Sequence, residues 1–220
     1  MANIEIPKSA AHESGGGRVD RRRFKMGGSG AEALLGLIAL VISILALAGL
    51  AMVPFAAIAV ILVGAALIFD SASVAAEPGV RGREARAAIF GGVGADTIAG
   101  LAAITLGILS LVGIDPFTLL PVAILVVGAG LLFSGAMTTI ERMRGAFETT
   151  EHGMTEDAQS AASGVHMLVG AAGLVLGILG VVGPAPIMVT LVSTLSIGAG
   201  LMLNGLAMSG RVFRPLAAHQ

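Results

Sequence analysis

The chain has 220 residues, 55% of them hydrophobic and 12% charged, with a formal net charge of -1. A charge density about half that of an ordinary soluble domain, with a mean hydropathy of +0.93, argues against a water-soluble globule. With no cysteine in the sequence, disulfides, thiolate metal sites and cysteine nucleophiles are excluded together.

The chain opens on a polar segment with Gly15-Gly16-Gly17 and the basic run Arg21-Arg22-Arg23-Phe24-Lys25. It lacks the apolar core and small-residue cleavage site of a signal peptide, so the expectation is a flexible basic tail over residues 1–30. No aromatic platform follows the run. Beside a hydrophobic helix it reads as a topology and lipid-headgroup anchor, not as a nucleic-acid patch.

Apolar stretches follow at 31–49, 55–75, 96–113, 117–137, 166–183 and 187–208. Each spans about 18–22 residues, enough at 1.5 Å per residue to cross a hydrocarbon core of roughly 30 Å. Glycine is frequent inside them, yet in lipid a helix is the way for an open segment to satisfy its own backbone. The expected fold is all-α: a polytopic membrane protein with six transmembrane helices. They form three hairpins, 31–75, 96–137 and 165–210, with loops at 76–95 and 138–164 and a tail at 211–220. Residues 138–147 are candidates for an extension of the fourth helix.

All 13 lysines and arginines lie in the two tails and the two long loops, and the short connections at 50–54, 114–116 and 184–186 carry none. The positive-inside rule places the basic segments in the cytoplasm. The expected location is the bacterial inner membrane, multi-pass, with both termini cytoplasmic.

The three hairpins repeat one pattern. Gly36, Gly100 and Gly170 open the first helix of each pair, and 13 positions later come Gly49, Gly113 and Gly183, each beside a turn containing proline. A further 15 positions on stand Gly64, Gly128 and Gly198, with no gap in any copy. A two-helix repeat returns the chain to its starting side, so the copies share one orientation and are expected around a pseudo-threefold axis along the membrane normal. That lowers the case for an alternating-access transporter, whose inverted repeats need an odd number of helices per unit. Ser43, Gly107 and Gly177 lie seven positions after the opening glycines, on the same helical face. Gly36, Gly64, Gly100, Gly107, Gly128, Gly170, Gly177 and Gly198 are read as packing positions where small residues admit close backbone approach. Gly128-Ala129-Gly130 and Gly198-Ala199-Gly200 lack the third glycine and preceding strand of a dinucleotide fingerprint.

Polar residues recur in the same register. Four positions before the opening glycines stand Glu32, Asp96 and His166, and six after the third repeat glycines stand Asp70, Ser134 and Asn204. Within each hairpin the two fall at similar depth, pairing Glu32 with Asp70, Asp96 with Ser134 and His166 with Asn204. One reading is helix-end chemistry: carboxylates meeting the positive end of a helix dipole, and Asp70 and Asn204 reaching interfacial water. The other is a cytoplasm-facing polar ring that titrates or binds a cation, with His166 changing charge between about pH 5 and 8. Thr190, Ser193, Thr194 and Ser196 add hydroxyls to the sixth span. They are expected to bond i-4 carbonyls or a neighbouring helix; lining a water path is the less favoured reading, because the corresponding helices offer no polar partners.

No catalytic constellation emerges. His12, His152, His166 and His219 are scattered without metal-ligand spacing, and the acidic residues Glu148, Glu151, Glu156 and Asp157 read as a solvated loop. The expectation is no enzyme activity, no cofactor and no metal. The absence of Trp and Tyr removes the usual aromatic belt and points to lateral contacts in a homo-oligomer or membrane-protein assembly, with the lipid bilayer as the other partner.

The stretch Val189-Thr190-Leu191-Val192-Ser193-Thr194-Leu195 and the pattern Leu131 to Gly135, Leu-x-x-Ser-Gly, resemble the HdeD-like family of acid-resistance membrane proteins. The resemblance covers roughly residues 31–213 in architecture. It implies a six-span bacterial inner-membrane protein of repeated hairpins, linked to acid or envelope stress, and it supplies no site residues. The long basic tail departs from that pattern. A non-enzymatic structural or assembly role is the leading expectation; the alternatives are a small channel or transporter using the polar ring, and a membrane anchor recruiting a soluble partner.

Overall fold

The computed structural model describes residues 16–75, 92–146 and 154–217. They form six α-helices, with no strand among the described residues: α1 Gly16–Leu47, α2 Met52–Ala75, α3 Gly92–Leu111, α4 Pro116–Ala146, α5 Met154–Val182 and α6 Pro186–Ala217. Each contains a window long and apolar enough to span a bilayer, from Gly30–Leu47 in α1 to Pro186–Leu206 in α6. The chain is a multi-pass integral membrane protein. Large apolar side chains such as Leu34, Leu101, Leu168 and Val175 lie more than half exposed on the outside of the bundle, where lipid is the solvent that accommodates them.

Several helices outrun their apolar windows. α1 begins at Gly16, within the segment expected as a tail, and α5 begins at Met154 and α6 runs to Ala217, within segments expected as loop and tail. Once a span has nucleated a helix, each added residue gains a hydrogen bond without repeating the nucleation cost, and Arg, Lys and Met are good helix formers. α4 continues to Ala146, through most of the expected extension. Loop residues 76–91 and 147–153, the acidic Glu148 and Glu151, and His12, His152 and His219 lie outside the described residues.

The short turns show why two repeat glycines are glycines. Gly49 and Gly113 have φ of 98° and 92°, the left-handed region that costs a side-chain-bearing residue about 1–2 kcal/mol. Each closes its helix with a Schellman pair: Gly49 N donates to Ala46 O and Leu50 N to Leu45 O, and Gly113 N donates to Ser110 O and Ile114 N to Leu109 O. Gly183 departs from this pattern, with N donating to Leu179 O at 2.7 Å and no left-handed φ. Its successor is Pro184, which restricts the backbone of the residue before it.

In the bundle α2, α4 and α6 touch one another around the centre, while α1, α3 and α5 each sit between two of them and touch neither of the other outer helices. The closest approaches join neighbouring hairpins. A Cβ added to Gly36 would lie 2.8 Å from Gly198 O, one on Gly64 2.6 Å from Gly100 O, and one on Gly170 3.0 Å from Gly128 O. α1 thus crosses α6, α3 crosses α2 and α5 crosses α4, each at a pair of repeat glycines. One turn-pair further along, Gly107 packs on Ile61 and Ala57 O, and Gly177 on Leu125. Ser43 occupies the corresponding place on the α1–α6 seam, its Oγ 2.9 Å from Thr194 Oγ1.

Candidate functional site: a buried polar cluster

Each helix contributes one polar side chain two or three residues inside the end of its apolar window farthest from the short turns. These are Glu32 from α1, Asp70 from α2, Asp96 from α3, Ser134 from α4, His166 from α5 and Asn204 from α6. Alternating chain direction explains the shared depth: odd helices enter at this end and even helices leave from it.

The six converge. Asn204 Nδ2 donates to Glu32 Oε1 at 3.0 Å, joining the two helices that close the bundle, α6 and α1. Glu32 and Asp70 share a side-chain hydrogen bond, and Asp96 is hydrogen-bonded to Ser134. His166 Nε2 lies 3.6 Å from Asp70 Oδ2. Both Glu32 and Asp96 lie within electrostatic range of Asp70 and His166.

Burial separates this arrangement from helix-end chemistry. Glu32 is 1% exposed, Asp96 4%, Asn204 5% and Ser134 7%, so none of these four reaches interfacial water. Glu32 also stands sixteen residues after Gly16, the start of α1, far from the positive end of its helix, whose influence fades within the first turn. Asp70 and His166 retain 14% and 13% side-chain exposure and are the cluster's contact with the outside. Two acceptors within it have no donor, Asp96 Oδ1 and Asn204 Oδ1. Among the described residues no group of His, Asp and Glu has the geometry to hold a metal ion.

Contacts within the cluster stay inside the hairpin in two cases and leave it in the third. Glu32 meets Asp70 and Asp96 meets Ser134, whereas His166 reaches Asp70 on α2 and Asn204 reaches Glu32 on α1. The hydroxyls of α6 mostly bond backward, Thr190 to Pro186 O and Ser193 to Val189 O, with Ser196 to Val192 O. Thr194 makes the other expected kind of bond, to a neighbouring helix, because the α1–α6 seam delivers Ser43 to it. Ser43 stands at the glycine register of the other hairpins, a position read only for its size.

Beyond the cluster the interior is apolar apart from the buried hydroxyls of Ser43, Ser110, Thr190, Ser193 and Thr194. Val60, Val63, Ile124, Val127 and Leu191 are fully buried, and Val63 and Asp70 are separated by about 10 Å of helix. At the short-turn end an apolar recess of about 330 Å³ lies among Met52, Val53, Phe117, Pro184, Ile187 and Met188. No family model, curated protein or solved structure matches this chain.

Proposed function

We propose that this chain is a non-enzymatic, non-conducting protein of the bacterial inner membrane, of the HdeD-like kind, acting in membrane structure or assembly under acid or envelope stress. The observation that supports it best is the sealed interior. Fully buried Val60, Val63, Ile124, Val127 and Leu191 fill the bundle between the polar cluster and the apolar recess, and the buried hydroxyls of that stretch, Ser43, Thr190, Ser193 and Thr194, are bonded to carbonyls of their own helices or to one another. A conducting path needs water or polar lining along its whole length. The 13 basic residues all lie in segments at the cluster end, which orients that end and both termini toward the cytoplasm. Oligomeric assembly is part of the same reading: the outer helices present broad apolar faces without the Trp and Tyr that usually fix a solitary bundle at the interfaces.

The test is flux. Proteoliposomes under a pH gradient, with and without a potassium diffusion potential, are expected to leak no faster than empty vesicles. Proton or cation flux that depends on Asp70 or Asp96 would replace this reading with the channel or transporter. Native mass spectrometry from nanodiscs is expected to show a homo-oligomer, and a uniform monomer would remove the assembly role.

A further inference from the structure

We propose that the six-residue cluster is a proton-binding site, and that its proton loading sets how firmly the start of the α5 span is held against α2. The inference takes only the cytoplasmic side of proton entry from the reading above; a conducting chain would overturn that reading and leave this one standing.

Three features carry it. The first is composition: three carboxyls and one imidazole share a largely buried site with two neutral polar groups. Like charges confined at this range in a low-dielectric interior repel strongly, so the site's charge is balanced by protons it gains or loses. The groups that act on His166 are Asp70 from α2, Glu32 from α1 and Asp96 from α3. α4 and α6 contribute the neutral Ser134 and Asn204.

The second is the pair of orphan acceptors, Asp96 Oδ1 and Asn204 Oδ1, on side chains 4% and 5% exposed. A buried acceptor without a donor costs about 1–3 kcal/mol, and a proton on a neighbouring carboxyl supplies a donor inside the site. Asp70, partly exposed, forms the entrance, with the buried His166 Nε2 behind it.

The third is the position of the His166–Asp70 contact. Among the described residues α2 and α5 have no backbone contact, so this side-chain pair ties together two helices that packing leaves apart. A protonated imidazole makes the pair an ion pair; a neutral imidazole does not. α5 is also the span with the smallest buried share, 22%, against 50% for α4 and α6. A small cavity beside His166, lined by Leu131, Val169, Ile197 and Leu201, lies where α5 meets α4 and α6.

The absence of cysteine allows spin labels at Phe69→Cys on α2 and Gly164→Cys on α5, both exposed positions, in the full chain in nanodiscs. The interlabel distance is expected to shorten and its distribution to narrow between pH 8 and pH 5. His166→Gln and Asp70→Asn, each in the same labelled chain, are expected to remove that response while folding is retained. In parallel, the imidazole nitrogen signals of ¹⁵N-histidine-labelled protein, with His166 assigned by its loss in H166Q, are expected to report titration within that range. A distance independent of pH in the parent chain, a pH response that persists in both variants, or a His166 signal that does not titrate would each overturn the proposal.

Discussion

Asp70 and His166 approach to 3.6 Å from two helices that have no backbone contact among the described residues. Around them Glu32, Asp96, Ser134 and Asn204 complete a set with one member from every helix, so the cluster depends on all six spans at once. Damage to its hydrogen bonds should therefore be felt as loss of bundle stability.

Asn204→Leu removes the amide that donates to Glu32 Oε1 from a carboxyl that stays buried. It is expected to destabilise the bundle by about 1–3 kcal/mol in denaturant titration of the purified protein in mild detergent. Glu32→Gln keeps an oxygen for Asn204 and is expected to cost less. Equal losses in the two variants would show that the contact is not the source of the effect.

Helix crossings give a second expectation. A methyl group on Gly64 would press on the carbonyl of Gly100 at 2.6 Å, and backbone cannot yield as a flexible side chain does. Gly64→Ala and Gly100→Ala are each expected to cost about 1–3 kcal/mol, the usual range for overpacking. Gly30→Ala, where nothing lies within 4 Å, should be close to neutral in the same titration.

At the α1–α6 seam, Ser43 and Thr194 are fully buried and 2.9 Å apart. Hydroxyl pairs between membrane helices average roughly 0.6 kcal/mol in double-mutant cycles, partly because each hydroxyl keeps an alternative acceptor on its own helix. Ser43 has Ala39 O and Thr194 has Leu191 O. A cycle of Ser43→Ala and Thr194→Ala is expected to give a coupling of about that size. Zero coupling would mean that the two hydroxyls are neighbours without interacting.

Gly49 and Gly113 should resist substitution on conformational grounds. Their left-handed φ values predict a cost of about 1–2 kcal/mol for alanine, with no neighbour within 4 Å of the added methyl at either position. Thermal unfolding of the alanine variants in detergent checks this, and unchanged midpoints would contradict the strain argument.

Much of this arrangement was legible as spacing. A seven-position interval tells which side chains share a helical face, and the register of Glu32, Asp96 and His166 against Asp70, Ser134 and Asn204 sets their common depth. Spacing does not say which face meets which. Glycine faces are chemically alike, so nothing in the order of residues shows that α1 crosses α6 or that α3 crosses α2. For the same reason the third hairpin's polar pair could not be seen to divide, His166 going to Asp70 and Asn204 to Glu32. Ser43 was hidden differently: its size matched a glycine register, and its hydroxyl acquires a partner only once the bundle closes.

The central claim is that six polar side chains, one per span, meet inside a membrane-embedded bundle. The most direct measurement places single cysteines at Asp70 and His166 in the otherwise cysteine-free chain, in native membranes, and treats them with a short thiol-bridging reagent. An intramolecular bridge between positions 70 and 166 is expected, and none between the outward-facing positions Leu34 and Leu168, 60% and 73% exposed. Bridging of the outer pair with none at 70 and 166 would contradict the arrangement.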